Sequence, residues 1–492
     1  MQQLCCPMVD SLPKRLLSKQ KSGFGLLLFT LSGCNQPCVG VGCEDAFGSA
    51  LVSLFPGNIV PTTGTLDADS AVYTLTGTEA LGPDWDILVV PNTLIAGSPL
   101  DGSVRSYSPE IDGSQTNSDA NGRIDGERSG EHFGAHIATL PGADGQIDLL
   151  VSAPLFSPDA DARHSGAVYR LSDFGNGFTG SHSADEATLR VTGTDPGGRF
   201  GAQLAVCTDL DADGEPEWMA SADRDDSNAS FAGQVVLVQS QGVQSADPRL
   251  LIDQISTRWT GTDIGERAGH ALLCNQDLTG DGVADIVVGA PFADITEEAE
   301  GVIYIMSGAD VPASGPLREV AQIQLSESEP NAWFGWSVAA GDIDGDGNID
   351  LAVGAPGVDE GTGVVRVWSG TDLQEETLSR ATYTLVGELP GDSFGRAILL
   401  QDLDGDGFDD LIIGAPFVNP TDEASAFQSG QVSIFSGSAG FEDWSPQMDA
   451  LDSNIIYEEA QQYLRTGRHL FAGNFDDDAR ADLVLLQRTS VD

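Results

Sequence analysis

Apolar and polar positions follow one block along most of the chain. In Phe334 to Pro356, FGWSVAAGDIDGDGNIDLAVGAP, the segment SVAA alternates small and apolar residues and LAV is a compact apolar run. Both patterns read as short strands, here joined by an acidic loop. The block recurs as FGRAILLQDLDGDGFDDLIIGAP from Phe394, RFGAQLAVCTDLDADGEPEWMASA from Arg199, AGHALLCNQDLTGDGVADIVVGAP from Ala268 and, shortened, HFGAHIATLPGADGQIDLLVSAP from His132. Eroded copies flank these: AVYTLTGTEALGPDWDILVVP from Ala71, and TGRHLFAGNFDDDARADLVLL from Thr466 to Leu486. The loop-closing acids Asp86, Asp148, Glu217, Asp285, Asp350, Asp410 and Asp482 stand 60 to 72 residues apart, which makes seven units. A third strand follows after a variable loop (GAVYRL, GQVVLV, GVIYIMSG, GVVRVWSG, GQVSIFSG), and a fourth is clearest in TYTLVGE. Four strands per period of this size predict propeller blades and not a helical solenoid. The expected fold class is all-β: a seven-bladed β-propeller of four-stranded antiparallel blades.

The loops carry the candidate chemistry. Asp342, Asp344, Asp346 and Asp350 occupy loop positions 1, 3, 5 and 9, with Gly347 at position 6. Carboxylates on alternate residues of a tight turn converge on one point, and glycine supplies backbone angles that bulkier residues resist. Such carboxylates repel one another unless a hard, oxygen-seeking cation sits between them. Calcium fits better than magnesium, which prefers small octahedral sites that keep their waters. DxDxDG also opens an EF-hand loop, but there the closing acid comes at about position 12, between helices. Here it comes at position 9, between strands. Asp402, Asp404, Asp406 and Asp410 form a second full set, and Asp209, Asp211, Asp213 and Glu217 a third with a longer closing side chain. Asp277, Asp281 and Asp285 keep three carboxylates, with Thr279 offering a hydroxyl. Asn474, Asp476, Asp478 and Asp482 lack the glycine, Ala479 standing in its place, and Asp144 with Asp148 is a remnant. The expectation is four strong calcium sites and one or two weaker ones. For each loop the alternative is an Asx turn without metal.

With FG, DxDxDG and GAP recurring in that order, the chain resembles the FG-GAP repeats of the integrin α-subunit head, a seven-bladed β-propeller. The resemblance runs from about Gly48 to Leu486, and the first and last units depart from the motif. It implies a ring of blades with calcium in loops on the lower face, and ligand contact on the upper face.

The units fall near residues 69–131, 132–198, 199–267, 268–332, 333–392, 393–465 and 466–492, the last completed by 48–66. GSALVSLFPG, from Gly48 to Gly57, looks like a third strand with no first or second strand before it. The unit from Thr466 has those two strands and then stops. Pairing of the N- and C-terminal strands closes the ring and leaves no open sheet edge. Asp101 to Glu131 is rich in Gly, Ser, Asn and Asp and reads as a long polar loop, with Asp119, Asn121 and Asp125 as a further cation set.

Residues 1–34 read as a targeting segment, in which Lys14, Arg15, Lys19 and Lys21 precede the short apolar core GFGLLLFTL. Leu31-Ser32-Gly33-Cys34 resembles a bacterial lipobox, which implies lipidation of Cys34 and an exported outer-membrane or cell-surface lipoprotein. The alternative is an ordinary cleaved signal and a secreted soluble protein. Residues 35–47 form a tether in which Cys38 and Cys43 can close a small disulfide. Cys207 and Cys274 end the first strands of adjacent units, as a disulfide or as two buried thiols. No other stretch is fit to cross a membrane, so membrane contact is expected through the lipid anchor alone.

Charge and motifs narrow the function. Asp plus Glu number 75 against 23 Lys plus Arg, a formal charge of −52, which argues against nucleic acid as a partner. The six histidines show no HExxH spacing, and no GxSxG, P-loop or dinucleotide fingerprint occurs. GDSFG at Gly391 is the FG position of the sixth unit and not a nucleophile elbow. Two readings follow: a calcium-stabilised adhesion or ligand-binding module for a protein or glycan, or a calcium-dependent polysaccharide lyase or hydrolase built on paired carboxylates. An enzyme should converge acids and bases in the loops after each GAP. Those loops instead disperse them, with Asp159, Asp161, Arg163 and His164 in one and Arg224, Asp225, Asp226 and Asn228 in the next. Binding is the favoured expectation, with no catalytic residue assigned.

Overall fold

The computed structural model describes residues 86–488, apart from internal stretches of which 240–248 is the longest, together with the strands Ala50–Phe55, Gly64–Leu66 and Tyr73–Thr76. The targeting segment, the lipid site Cys34, the tether with Cys38 and Cys43, and Asp144, Asp161, Asp476 and Asp478 lie outside the described residues. Among the described residues the strands fall into seven sheets, six of five strands and one of four.

The fifth sheet shows the plan. Ser337–Gly341 pairs antiparallel with Asp350–Ala355, Gly341 opposite Asp350, and Val364–Trp368 and Tyr383–Val386 follow as a meander. The sixth repeats it with Ala397–Gln401, Asp410–Ala415, Gln431–Phe435 and Ile455–Glu458. A short parallel strand then joins the outer edge, which makes five where four were expected. It comes from the following unit: Gln447–Asp449, in the connection before Ile455–Glu458, lies on Tyr383–Val386. Three-residue strands carry too little pattern to be read from a sequence, yet they cover edges that would otherwise expose unpaired backbone.

The second strands Asp285–Ala290, Asp350–Ala355 and Asp410–Ala415 are buried throughout, because each sheet packs one face on the preceding sheet and the other on the next. Ile95 and Val104 meet Phe133, Val151 and Tyr169 between the first and second sheets, and Ile412 and Ile434 meet Leu483 and Leu485 between the sixth and seventh. Burial on both faces explains apolar runs without strict alternation. The motifs FG and GAP are two halves of one inter-sheet contact. A Cβ on Gly354 would stand 2.2 Å from the carbonyl oxygen of Gly395, and one on Gly414 would stand 1.8 Å from that of Gly467.

The first unit departs from its expected boundaries. Tyr73–Thr76 pairs with Ala50–Phe55, which pairs in turn with Asp482–Arg488, Val52 opposite Leu486. Tyr73–Thr76 is therefore the fourth strand of the seventh sheet and not the first strand of the first unit. The first sheet opens with Asp86–Val90, so Asp86 begins a first strand and closes no acidic loop. Ser103–Tyr107 and Gly122–Asp125 are its third and fourth strands, where a polar loop was expected. The polar text SVRSY hid a buried strand, whose Arg105 is met by Asp101. Asp125, expected to join Asp119 and Asn121 in a further cation set, pairs with Arg123 at 2.6 Å.

The first strands lie side by side in chain order from Asp86–Val90 to Leu470–Gly473, and Leu470–Gly473 lies against Asp86–Val90. Cys207 and Cys274 form a disulfide, Cα atoms 4.5 Å apart, joining the third and fourth sheets at their first strands. No helix of the described residues is long and apolar enough to cross a membrane.

Candidate metal centres

Each acidic loop leads from a first strand into a second, and its closing acid stands at the mouth of the buried second strand. Glu217, Asp285 and Asp350 are fully buried and Asp410 is 5% exposed. In the loop 342–350 the backbone wraps the carboxylates. Asp342 accepts from the amides of Gly345 at 2.7 Å and Gly347 at 3.1 Å, Asp344 from Asp346 at 3.1 Å, and Asp346 from Asn348 at 2.7 Å. Gly347, at φ 85°, makes the turn that brings its amide back to Asp342. Asp350 accepts from the amides of Ile343 and Gly370, both at 2.8 Å. The loop 402–410 repeats every bond with Gly405, Gly407, Asp406 and Phe408 donating, and with Leu403 and Gly437 on Asp410.

Three loops gather their acids. Oxygens of Asp209, Asp211, Asp213 and Glu217 lie within 4.8 Å of one another, as do those of Asp342, Asp344 and Asp350, and those of Asp402, Asp404 and Asp406. Asp346 leans aside to accept the Thr371 hydroxyl at 3.0 Å, and Asp410 is held by backbone amides. The fourth loop does not gather Asp277, Asp281 and Asp285. Thr279 gives Asp285 both its amide at 2.7 Å and its hydroxyl at 3.3 Å, while the Ser307 hydroxyl takes Asp281 at 2.6 Å. In the seventh, Asp482 is buried and Asn474 is placed, with Asp476 and Asp478 outside the described residues.

Burial, opposed by backbone amides and reinforced by the neighbouring acids, pushes Asp350, Asp410 and Glu217 up to about 7. Burial likewise raises Asp344, Asp404 and Asp285 above the ordinary carboxylate range. A buried cluster of this kind is destabilised by its own ionisation, and a cation relieves it. The third loop gives the clearest fit: Glu217 Oε1 and Asp213 Oδ2 are buried without a hydrogen-bond partner. Unpaired buried carboxylate oxygens are costly, and four acids within reach match a hard cation with oxygen ligands.

The remnant in the second unit has found another counter-ion. Arg170 Nε donates to Asp148 at 2.5 Å, beside the amide of Asp173 at 2.9 Å. The signal for this was a basic residue inside an apolar third strand, AVYRL, where a sequence reading alone finds only two leftover acids.

Two family models match the chain, one described as an FG-GAP-like repeat over residues 277–353 and one as an FG-GAP repeat over residues 394–435. Among curated proteins, integrin alpha-5 of Xenopus laevis is 31% identical over 166 residues, 33% of this chain and 14% of that protein. Integrin alpha-4 of Xenopus laevis is 34% identical over 166 residues, 32% of this chain and 15% of that protein. Phosphatidylinositol-glycan-specific phospholipase D of Rattus norvegicus is 36% identical over 154 residues, 30% of this chain and 18% of that protein. The matched stretches thus span less than a fifth of these relatives' own length. The Sqt1 structure of Chaetomium thermophilum superposes on 82% of this chain and 81% of its own with a TM-score of 0.42 at 13% identity, a likeness too low to carry an argument. Both family models fall on acidic loops of the strand–loop–strand block, so the chain carries FG-GAP repeats and is similar to integrin α-subunits over about a third of its length.

Proposed function

We propose that the seven sheets are the blades of a closed β-propeller, stabilised by calcium in its acidic loops and displayed at the cell envelope as an adhesion or ligand-binding module. The observation that carries the reading is that FG-GAP models match over the loops 342–350 and 402–410, each of which gathers three acids, in a chain with stretches similar to integrin α-subunits. Closure draws support from Ala50–Phe55, inserted between Asp482–Arg488 and Tyr73–Thr76, and from Gly64–Leu66 on the sixth sheet. Calcium draws support from the unpartnered oxygens of Glu217 and Asp213. Lipidation of Cys34 would hold the module at the envelope; a Cys34→Ser variant that stays in the membrane fraction would refute it.

The enzyme reading is weaker for a specific reason: three acids of the loops after GAP are engaged by backbone amides of their own loops, and the neighbouring Asn228 by a backbone carbonyl. Asp159 accepts the Ala162 amide at 2.9 Å, Asp225 the Ser227 amide at 2.8 Å and Asp226 the Phe231 amide at 2.6 Å, while Asn228 donates to the Gly261 carbonyl at 2.7 Å. A combined protein and glycan array, probed in calcium and in chelator, tests the proposal. Retention of a ligand in calcium and its loss in chelator is expected. Turnover of a polysaccharide with no retained ligand would overturn it.

A further inference from the structure

The ends of the first strands opposite the acidic loops are built on one repeated turn. The residue before each FG phenylalanine, or its substitute, has a positive φ: His132 58°, Arg199 61°, Arg267 52°, Trp333 55°, Ser393 57° and Arg465 53°. Non-glycine residues seldom adopt this conformation, so the same choice in six units marks a designed corner. The carbonyls of His132, Trp333, Ser393 and Arg465 accept from the amides of Ala135, Trp336, Arg396 and Arg468, each at 3.2 Å. Two side chains per unit are thereby fixed at this end of the sheets, one where the turn begins and one where it closes.

In three consecutive units the closing residues are His270, Trp336 and Arg396, and they touch in series. The rings of His270 and Trp336 are 4.3 Å apart, and the Arg396 guanidinium lies 4.0 Å from the Trp336 ring centroid. Trp333 and Phe292 extend the aromatic surface at 5.8 and 5.9 Å from Trp336, and Arg267 lies 4.9 Å over Phe292. All six are half-buried. In the second and third units the closing position is Ala135 and Ala202, so the arc of large side chains is one-sided.

In a chain where acids outnumber bases 75 to 23, neither Arg267 nor Arg396 makes an ion pair among the described residues. Arg396 faces Arg465 and Arg468 instead, and burial with these two charges holds it down at about 10. His270 feels the charges of both Arg396 and Arg267, and the Asp223 carboxylate feels those of Arg224, Arg267 and Arg199. Half-buried guanidinium groups on aromatic faces, short of carboxylates, form a preorganised anion receptor.

We propose that this shelf receives the carboxylate of a single Asp or Glu side chain from a partner protein, with Arg267 and Arg396 binding its oxygens and Trp333, Trp336 and Phe292 covering its stem. The guanidinium fork matches a carboxylate geometrically. The field of the whole chain selects the class of ligand. At a formal charge of −52, a polymer acidic at every residue is repelled everywhere beyond the shelf, whereas a lone acid flanked by neutral or basic residues is drawn in. This inference rests on the ligand-binding reading and names the partner chemistry of one face.

The test is tryptophan fluorescence of the calcium-loaded full chain, titrated with acetyl-Lys-Glu-Lys-amide, its Gln counterpart and tetragalacturonate. The Glu peptide should bind saturably, with the Gln peptide and tetragalacturonate at least about tenfold weaker, as expected for loss of a charge-assisted bond. Arg396→Ala and Arg267→Ala should each weaken the Glu peptide by a similar factor, with circular dichroism confirming the fold. Arg396→Lys keeps the charge without the fork, and should bind the Glu peptide more weakly than the parent, which keeps the test decisive if the alanine variant does not fold. Equal binding of the Glu and Gln peptides, or undiminished binding in a folded Arg396→Ala, overturns the proposal. Tighter binding of tetragalacturonate overturns it in favour of an acidic glycan. Array capture undiminished in both arginine variants sinks this site and leaves the ligand-binding reading standing. No array capture by a chain that still discriminates the Glu peptide sinks that reading alone.

Discussion

Replacing Arg170 by alanine tests an acidic loop whose closing acid is paired with a cation of the chain itself. Asp148 is 5% exposed, and its partners are Arg170 Nε at 2.5 Å, the Asp173 amide at 2.9 Å and the Ser172 hydroxyl at 3.4 Å. Without the guanidinium, a buried carboxylate keeps one amide and a long hydroxyl contact. Breaking a fully buried pair costs about 3–5 kcal/mol. The Arg170 side chain is 22% exposed, so water reaches the vacated space and the cost falls to about 2–3 kcal/mol. With an unfolding entropy of roughly 2.1 cal/mol/K per residue summed over the whole ring, 1 kcal/mol corresponds to about 1 °C, and the melting temperature should drop by about 2–3 °C. Melts followed by circular dichroism in calcium and in chelator give the decisive comparison. The loss should be the same in both, because this counter-ion cannot be chelated, whereas the loss in Asp350→Ala should be larger in calcium than in chelator, where only its bonds to the Ile343 and Gly370 amides are lost. An Arg170→Ala loss below about 0.5 kcal/mol, or one that depends on calcium, would refute the reasoning.

Three further outcomes are expected. Gly414→Ala places a Cβ 1.8 Å from the Gly467 carbonyl oxygen, backbone against backbone, and should cost at least the roughly 1–3 kcal/mol typical of overpacking in urea unfolding; a silent substitution would break the link between FG and GAP. Reducing Cys207–Cys274, which spans 67 residues, should lower the melting temperature by the equivalent of about 2–4 kcal/mol, and an unchanged melt in reductant would show that the pair is not formed. Burial pushes Glu131 from 4.5 up to about 7, so the folded state holds a proton that the unfolded chain releases. Its stability cost is absent below 4.5 and grows as pH rises to about 7. Glu131→Gln should therefore gain on the parent between pH 5 and 8 in chelator, and a pH-independent difference would contradict the burial argument.

The repeat, its strands and its acidic loops were legible because each signal lay within one contiguous block. Asp342 to Asp350 reads the same in sequence and in space, since a tight loop brings near neighbours together. What escaped was assembled across units. The Asp148–Arg170 pair, the parallel strand Gln447–Asp449 and the meeting of Gly354 with Gly395 each join residues from different strands or sheets, and spacing carries no trace of them. The first unit was misread because its motif has eroded, so Tyr73–Thr76 looked like the start of a block when it ends another. Asp277, Asp281 and Asp285 were counted from spacing alone, where the competition from Thr279 and Ser307 is invisible.

The central claim is that cations in these loops hold the sheets together, and calorimetric titration of calcium into metal-free protein tests it most directly. At least three ions should bind, one for each gathered cluster, with one site lost in Asp404→Ala and one in Asp211→Ala. Each site should stabilise the fold by about 2.7 kcal/mol at a hundredfold excess over its dissociation constant, and the melting temperature should climb with occupancy. Binding heat that is absent, or calcium that binds without raising the melting temperature, would contradict the account.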